Sequence, residues 1–175
     1  MAKLYFRYGV MGSSKSANAL MVKPNIDQRE GASIVNSRIG LTYPCTWFSD
    51  FMGFSPEEIK GYQCIIVDES QFLSREEVSF LTNVVDELNV PVICYGLRAD
   101  FKGDLFPGSE ALLAWADIIE EVKTICWCGK KATCNARFDE HGVVLKEGEQ
   151  VVLGANDKYI GLCRRHWKQG KLGPD

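Results

Sequence analysis

Lys3 to Tyr8 is a run of β-formers that stops at Gly9, and the next eight residues read Gly9-Val10-Met11-Gly12-Ser13-Ser14-Lys15-Ser16 before the helix-favouring stretch Ala17 to Val22. Strand, tight Gly/Ser loop and helix in that order constrain the chain more than any other feature. Such a loop at a helix N-terminus turns its amides inward, where an anion can sit. The lysine adds charge and the last serine offers a hydroxyl for Mg²⁺. Gly9, Met11, Gly12, Ser13, Ser14, Lys15 and Ser16 are therefore the expected phosphate contacts. The strict form of the loop has glycine where this chain has Ser14, and a side chain restricts the backbone there. Taken alone, a Gly/Ser loop ending in Lys-Ser is also an ordinary turn; the strand before it and the helix after it favour phosphate.

A phosphate loop needs an acid from a second strand. Cys64-Ile-Ile-Val67 is apolar on both faces, as a buried parallel strand is, and it ends at Asp68 and Glu69. Asp68 is placed to hold Mg²⁺ through water, and Glu69, one residue further out, to accept a proton. The alternative is that both acids only terminate the strand and face solvent. Ser74 with Glu77 forms a capping box for a helix carrying Val78, Leu81, Val85 and Leu88. Val90 to Tyr95 is a further buried strand, Gly96 to Gly108 a loop, Ser109 to Ala116 a helix and Ile118 to Ile125 a strand. Alternation of this kind specifies an α/β fold, a parallel sheet flanked by helices.

With 46% hydrophobic and 25% charged residues among 175, the chain is expected to fold around one main core. Twenty Lys and Arg against 23 Asp and Glu give a net charge of −3, which argues against a nucleic-acid polymer as partner. Apolar runs are too short to span a bilayer and the N-terminus lacks a signal-peptide pattern, so a cytoplasmic protein with no membrane segment is expected. Seven cysteines do not form a secreted framework, and Cys45, Cys64, Cys94 and Cys134 are scattered. Cys126-x-Cys128 and Cys163-x-x-His166 are different. Two close pairs supply three sulfurs and one imidazole, the ligand count of a closed structural zinc site, although 34 residues separate the pairs and Cys-x-Cys is tight. Buried free thiols beside a surface histidine are the other reading. Residues 126–175 show short β-like runs (Gly142 to Leu145, Gln150 to Leu153) and, up to Trp167, no clear helical period. They are expected to form a small zinc-binding lid domain after a nucleotide-binding domain at 1–125.

Taken together, the phosphate loop, Val-Asp-Glu-Ser-Gln-Phe (67–72), Tyr-Gly-Leu-Arg-Ala-Asp-Phe (95–101), Phe-Pro-Gly-Ser (106–109), the cysteine cluster and Leu-Gly-Ala-Asn-Asp-Lys-Tyr (153–159) resemble the zinc-containing, bacterial type II thymidine kinases. The likeness spans nearly the whole chain in matching order. It implies ATP-dependent phosphorylation of thymidine at the 5′-hydroxyl, a salvage step toward DNA synthesis, with Mg²⁺ accompanying ATP and a structural Zn²⁺. Glu69 matches the general base, Lys15 and Ser16 the phosphate and Mg²⁺ contacts, and Asp27 and Arg29 residues near the transferred phosphate. Gln71, Phe72, Leu97, Phe101 and Phe106 match the walls of a nucleoside pocket with Met11 at its floor; Gly154 and Tyr159 match a loop that binds thymine through main chain. Aromatic walls suit a flat base, although Leu97 and Phe106 suit plain core as well. The resemblance also implies a homotetramer inhibited by the triphosphate product, dTTP.

One departure concerns length. Only Ser16 to Lys23 separates the phosphate loop from Lys-Pro-Asn-Ile-Asp (23–27), too few residues for the helix and parallel strand that the family has there. The expectation is that a helix–strand unit is missing, that a sheet edge is lost or rebuilt, and that residues 23–29 lie beside the nucleotide as a loop. A catalytically impaired nucleotide-binding homologue is the alternative function, and a zinc-stabilised interaction module with a purely structural loop is the third.

Overall fold

The computed structural model describes residues 1–15, 17–19, 46–151 and 158–174, and the backbone of 32–36. Among the described residues six parallel strands form the main sheet: β1 (Leu4–Tyr8), β2 (Ala32–Asn36), β3 (Thr46–Trp47), β4 (Cys64–Asp68), β5 (Val92–Gly96) and β6 (Ile118–Glu121). Their spatial order is β3-β2-β4-β5-β1-β6. The P-loop strand β1 lies between β5 and β6, with Phe6 opposite Cys94 on one side and Ile119 on the other. β4 is buried throughout its five residues, and the reason for its unbroken apolar run is visible in its two faces. Ile65 and Val67 join the large core with Leu4, Phe6, Val78 and Leu81, while Cys64 and Ile66 meet Ala19 and Tyr95 on the other side.

The helix Arg75–Asp86 begins as its sequence specifies. Ser74 Oγ accepts from the Glu77 amide at 3.1 Å and Glu77 Oε2 accepts from the Ser74 amide at 2.7 Å, and Val78, Leu81, Val84 and Val85 are buried. The helix Pro107–Trp115 packs alongside it. β6 ends at Glu121, four residues short of the expected Ile125.

After residue 125 the chain builds a second, antiparallel sheet, in order β8-β7-β9, from β7 (Cys134–Phe138), β8 (Val144–Leu145) and β9 (Lys158–Leu162). Of the expected β-like runs, Val144 and Leu145 are strand, whereas Gln150 and Val151 are not and Leu153 lies outside the described residues. A helix, Arg164–Gln169, closes the module; its six residues span less than two turns and so leave no clear helical period in the sequence.

The sheet edge expected to be lost or rebuilt is present. β2 runs parallel to β4 with Ala32 opposite Cys64 and Asn36 opposite Asp68, and β3 extends the edge beyond it. The crossover from Lys15 to Ala32 retains more than the dozen residues that a parallel connection needs. The loop expected at 23–29 lies outside the described residues.

Replacing Ser74 with alanine removes one half of the capping box. Chemical denaturation should show a loss of about 1 kcal/mol without a change in the denaturant slope.

Candidate active site and metal centre

Two backbone positions in the phosphate loop are left-handed, Gly12 at φ 75° and Ser14 at φ 59°. Ser14, the departure from the strict pattern, thus adopts the conformation that glycine occupies without penalty, at a cost of roughly 1–2 kcal/mol for a residue with a Cβ. Gly9 is fixed by space: a Cβ there would lie 2.3 Å from Ser13 Oγ and 2.9 Å from the Val122 carbonyl. The Lys15 ammonium reaches back across the loop, donating to the Val10 carbonyl at 2.9 Å and to Ser13 Oγ at 3.2 Å. Burial lowers its pKa to about 8, while the carboxylates of Glu69 and Asp68 pull the other way. Lysine, Asp68 and Glu69 therefore share one electrostatic neighbourhood at the carboxyl ends of β1 and β4.

Asp68 is buried and its Oδ1 accepts from the Glu69 amide at 2.9 Å. Glu69 itself sits at φ 54°, so the chain leaves β4 through a left-handed residue into the 3₁₀ turn Ser70–Phe72. Close approach holds this turn in place. A Cβ on Gly96 would be 2.8 Å from both Ser70 Oγ and Gln71 Oε1, and one on Gly108 would be 2.4 Å from the Ser70 carbonyl. Ser70 Oγ donates to the Tyr95 carbonyl at 2.9 Å. Gln71, fully buried, donates its amide to Glu69 Oε2 and accepts the Leu97 amide at 3.0 Å. Its side chain faces the carboxylate and the backbone.

Phe72 and Phe106 meet edge to face with ring centroids 5.7 Å apart. Leu97 is tied to the same cluster through Gln71 and through Ser109, whose hydroxyl donates to the Leu97 carbonyl at 2.5 Å. Phe101 is buried and lies beneath the Arg137 guanidinium, 5.0 Å from its ring centre. Met11 is partly exposed, and its amide donates to Asn135 Oδ1 at 2.7 Å. Tyr159 is exposed on β9 opposite Arg137. Ser16, Asp27, Arg29 and Gly154 lie outside the described residues.

Cys126, Cys128, Cys163 and His166 come together with one ligand atom from each within 4.8 Å of every other. Cys128 and Cys163 sulfurs are 3.9 Å apart, and His166 Nδ1 is 3.5 Å from the sulfurs of Cys126 and of Cys163. A tetrahedron with Zn–S of about 2.3 Å and Zn–N of about 2.05 Å has S···S edges of about 3.8 Å and S···N edges of about 3.5 Å. The residues fit zinc. Gly129 at φ 81° makes the turn after the first pair, and Cys163 is the N-cap residue of the helix that carries His166 in its first turn. At Cys126 burial raises the thiol pKa, but the amides of Cys128 and Cys163 and the His166 ring outweigh it and bring it to about 6. The Trp127 ring stacks on His166, 4.3 Å between centroids.

Several contributors escaped sequence reading. Asn135 is a buried polar residue in the middle of the second sheet. Asparagine is depleted in strands, and that oddity was the available signal. Asp100, also buried, organises the loop after β5 by accepting the amides of Lys102, Gly103 and Asp104 through Oδ1 at 2.8–3.0 Å. Gly161 lets β9 lie directly on the phosphate loop; a Cβ there would be 2.6 Å from Val10 Cγ2.

The family model described as thymidine kinase matches residues 3–167 of this chain. The chain belongs to the thymidine kinase family. Thymidine kinase from Legionella pneumophila (strain Lens) is 44% identical over 193 residues, which takes in 99% of this chain and 92% of the relative. Those from Vibrio parahaemolyticus and Escherichia coli K12 are each 45% identical over 188 residues, covering 97% of this chain and 98% and 92% of theirs. The Legionella match runs over 18 more positions than the 175 residues here, so that relative carries at least 18 residues without a counterpart in this chain. Among solved structures, the Bacteroides Pif1 bound to ssDNA superposes with a TM-score of 0.51 at 12% identity, over 69% of this chain and 38% of that one. This likeness concerns the fold alone. Among the described residues no helix is long and apolar enough to cross a membrane.

Ser14→Gly relieves the left-handed strain and gives back part of the gain as unfolded-state entropy. Stability should rise by roughly 0.5–1 kcal/mol in denaturant titration, whereas glycine substitution elsewhere ordinarily lowers it.

Proposed function

We propose that this chain transfers the γ-phosphate of ATP to the 5′-hydroxyl of thymidine, giving dTMP. The observation that carries the reading is the convergence of Lys15 with Asp68 and Glu69 at the mouth of a phosphate loop, within a chain about 45% identical to bacterial thymidine kinases. In this reading Lys15 and the loop residues Gly9 to Ser16 grip the phosphates of ATP. Mg²⁺ arriving with ATP would be held by Ser16 and Asp68 and would supply positive charge that offsets the charge of the phosphates. Glu69 takes the proton of the 5′-hydroxyl, with Asp27 and Arg29 beside the transferred group. Positioning and charge neutralisation provide most of the acceleration, as in other phosphoryl transfers.

The nucleoside is assigned to a pocket walled by Gln71, Phe72, Leu97, Phe101 and Phe106 with Met11 at its floor, and Gly154 and Tyr159 are assigned to main-chain recognition of thymine. Residues 1–125 would act as the nucleotide-binding domain and 126–175 as a zinc-bearing lid in a cytoplasmic enzyme. Assembly as a homotetramer and inhibition by dTTP complete the proposal. The continuity of the sheet through β2 supports turnover rather than binding alone, because β4 keeps its hydrogen-bonded neighbour up to Asp68.

ATP-dependent formation of radiolabelled dTMP from [³H]thymidine tests the reading directly; nucleotide binding with no dTMP would leave the impaired homologue in its place. Glu69→Gln keeps shape and removes the base, so kcat should fall roughly 10²- to 10⁴-fold with ATP affinity nearly unchanged, and a variant that retains most of its rate would remove Glu69 from that role. Metal analysis should give about one zinc per chain, lost in Cys163→Ser, because four ligands close the tetrahedron and three leave it open.

A further inference from the structure

We infer that Asn135 is a positioning residue that fixes the phosphate loop and the loop after β5 relative to one another. It stands in β7 of the second sheet, opposite Gly161, and is 5% exposed. Its carboxamide is divided between the phosphate loop and the loop after β5. Oδ1 accepts the Met11 amide at 2.7 Å, and Nδ2 donates to the Ala99 carbonyl at 2.7 Å. Met11 belongs to the loop that faces phosphate, and Ala99 to the segment between Leu97 and Phe101 that faces the nucleoside. One rigid amide group therefore sets the spacing between donor and acceptor halves of the site.

The surroundings leave that side chain little freedom. On the next strand Gly161 abuts Val10, one residue before Met11, and a Cβ there would overlap the valine. On the Ala99 side, Arg98 donates to the Thr133 carbonyl at 3.4 Å and Trp167 Nε1 to the Phe101 carbonyl at 2.9 Å. Asp100 receives Gln150 Nε2 at 3.1 Å. The module carrying the Cys/His cluster thus grips both loops, and Asn135 alone among these contacts reaches both at once. Removing it takes away the side-chain partner of the part-buried Met11 N–H and of the part-buried Ala99 carbonyl together, and with it the tie between the two loops.

The kinetic consequence rests on the proposed kinase reading; the structural one does not, and the test has an arm for each. In hydrogen–deuterium exchange, Asn135→Ala should speed exchange about tenfold in peptides covering both 9–15 and 97–105, with metal content and the protection of β7 and β9 retained. Asn135→Asp keeps an oxygen for the Met11 amide and loses the donor to Ala99, so it should restore protection at 9–15 only. In thymidine phosphorylation, Asn135→Ala should raise KM for both substrates about tenfold, and Asn135→Asp should bring back the ATP constant while the thymidine constant stays high. Unchanged exchange at 9–15 in Asn135→Ala, or general loosening of β7–β9 with loss of metal in both variants, overturns the inference. A wild-type chain without kinase activity would sink the kinase reading and leave the exchange result to decide the role of Asn135.

Discussion

Val10 joins the two halves of the molecule. It is the second residue of the phosphate loop, yet its side chain is buried in the core of the second module with Cys126, Ala132, Ala136, Leu162 and Cys163. Two of those neighbours are ligands of the candidate metal centre. The loop that follows β1 is thus held partly by a hydrophobic cluster that the cysteines themselves help to build. A module with so small a core is poorly stabilised by burial alone, and a four-ligand metal contributes folding energy where hydrophobic area is short. The cysteines and the loop after β1 thus share one packed cluster through Val10.

The opposite wall of the site depends on polar groups being satisfied where water is excluded. Ser70, Gln71 and Ser109 are all fully buried, and each has a backbone partner: Tyr95, Leu97 and Leu97 respectively. A half-satisfied network here would be costly, while a complete one fixes a single arrangement. That arrangement carries the left-handed Glu69, a conformation that persists because the packing of Gly96 and Gly108 leaves the turn no alternative. Strain at Ser14 and at Glu69 thus brackets the place where lysine and carboxylates converge.

Shortening relative to the Legionella relative has not broken the sheet. β2 pairs along the full length of β4, so the strand that delivers Asp68 keeps hydrogen-bonded neighbours on both sides. An end strand presents an unpaired ladder, and β3, two residues long, is now one such end. Brevity is one of the ways in which natural sheets blunt an edge.

Local chemistry was legible in the sequence because it depends on neighbours in the chain. The loop from Gly9 to Ser16, the doubly apolar β4 with its terminal acids, the Ser74–Glu77 cap and the two metal-ligand pairs are each written within a few residues, and each could be read from spacing and residue type. The helix Arg164–Gln169 was too short to show a period, and the strand Cys134–Phe138 carries a buried asparagine and arginine that mask its alternation. Tertiary structure alone decided how these pieces meet. Asn135 against Met11 and Ala99, Gly161 against Val10, and Gln71 against Glu69 and Leu97 are matters of close approach. All of these contacts except Gln71 with Glu69 reach across 26 to more than 120 residues of chain, and no local pattern encodes which side-chain amide will face which loop.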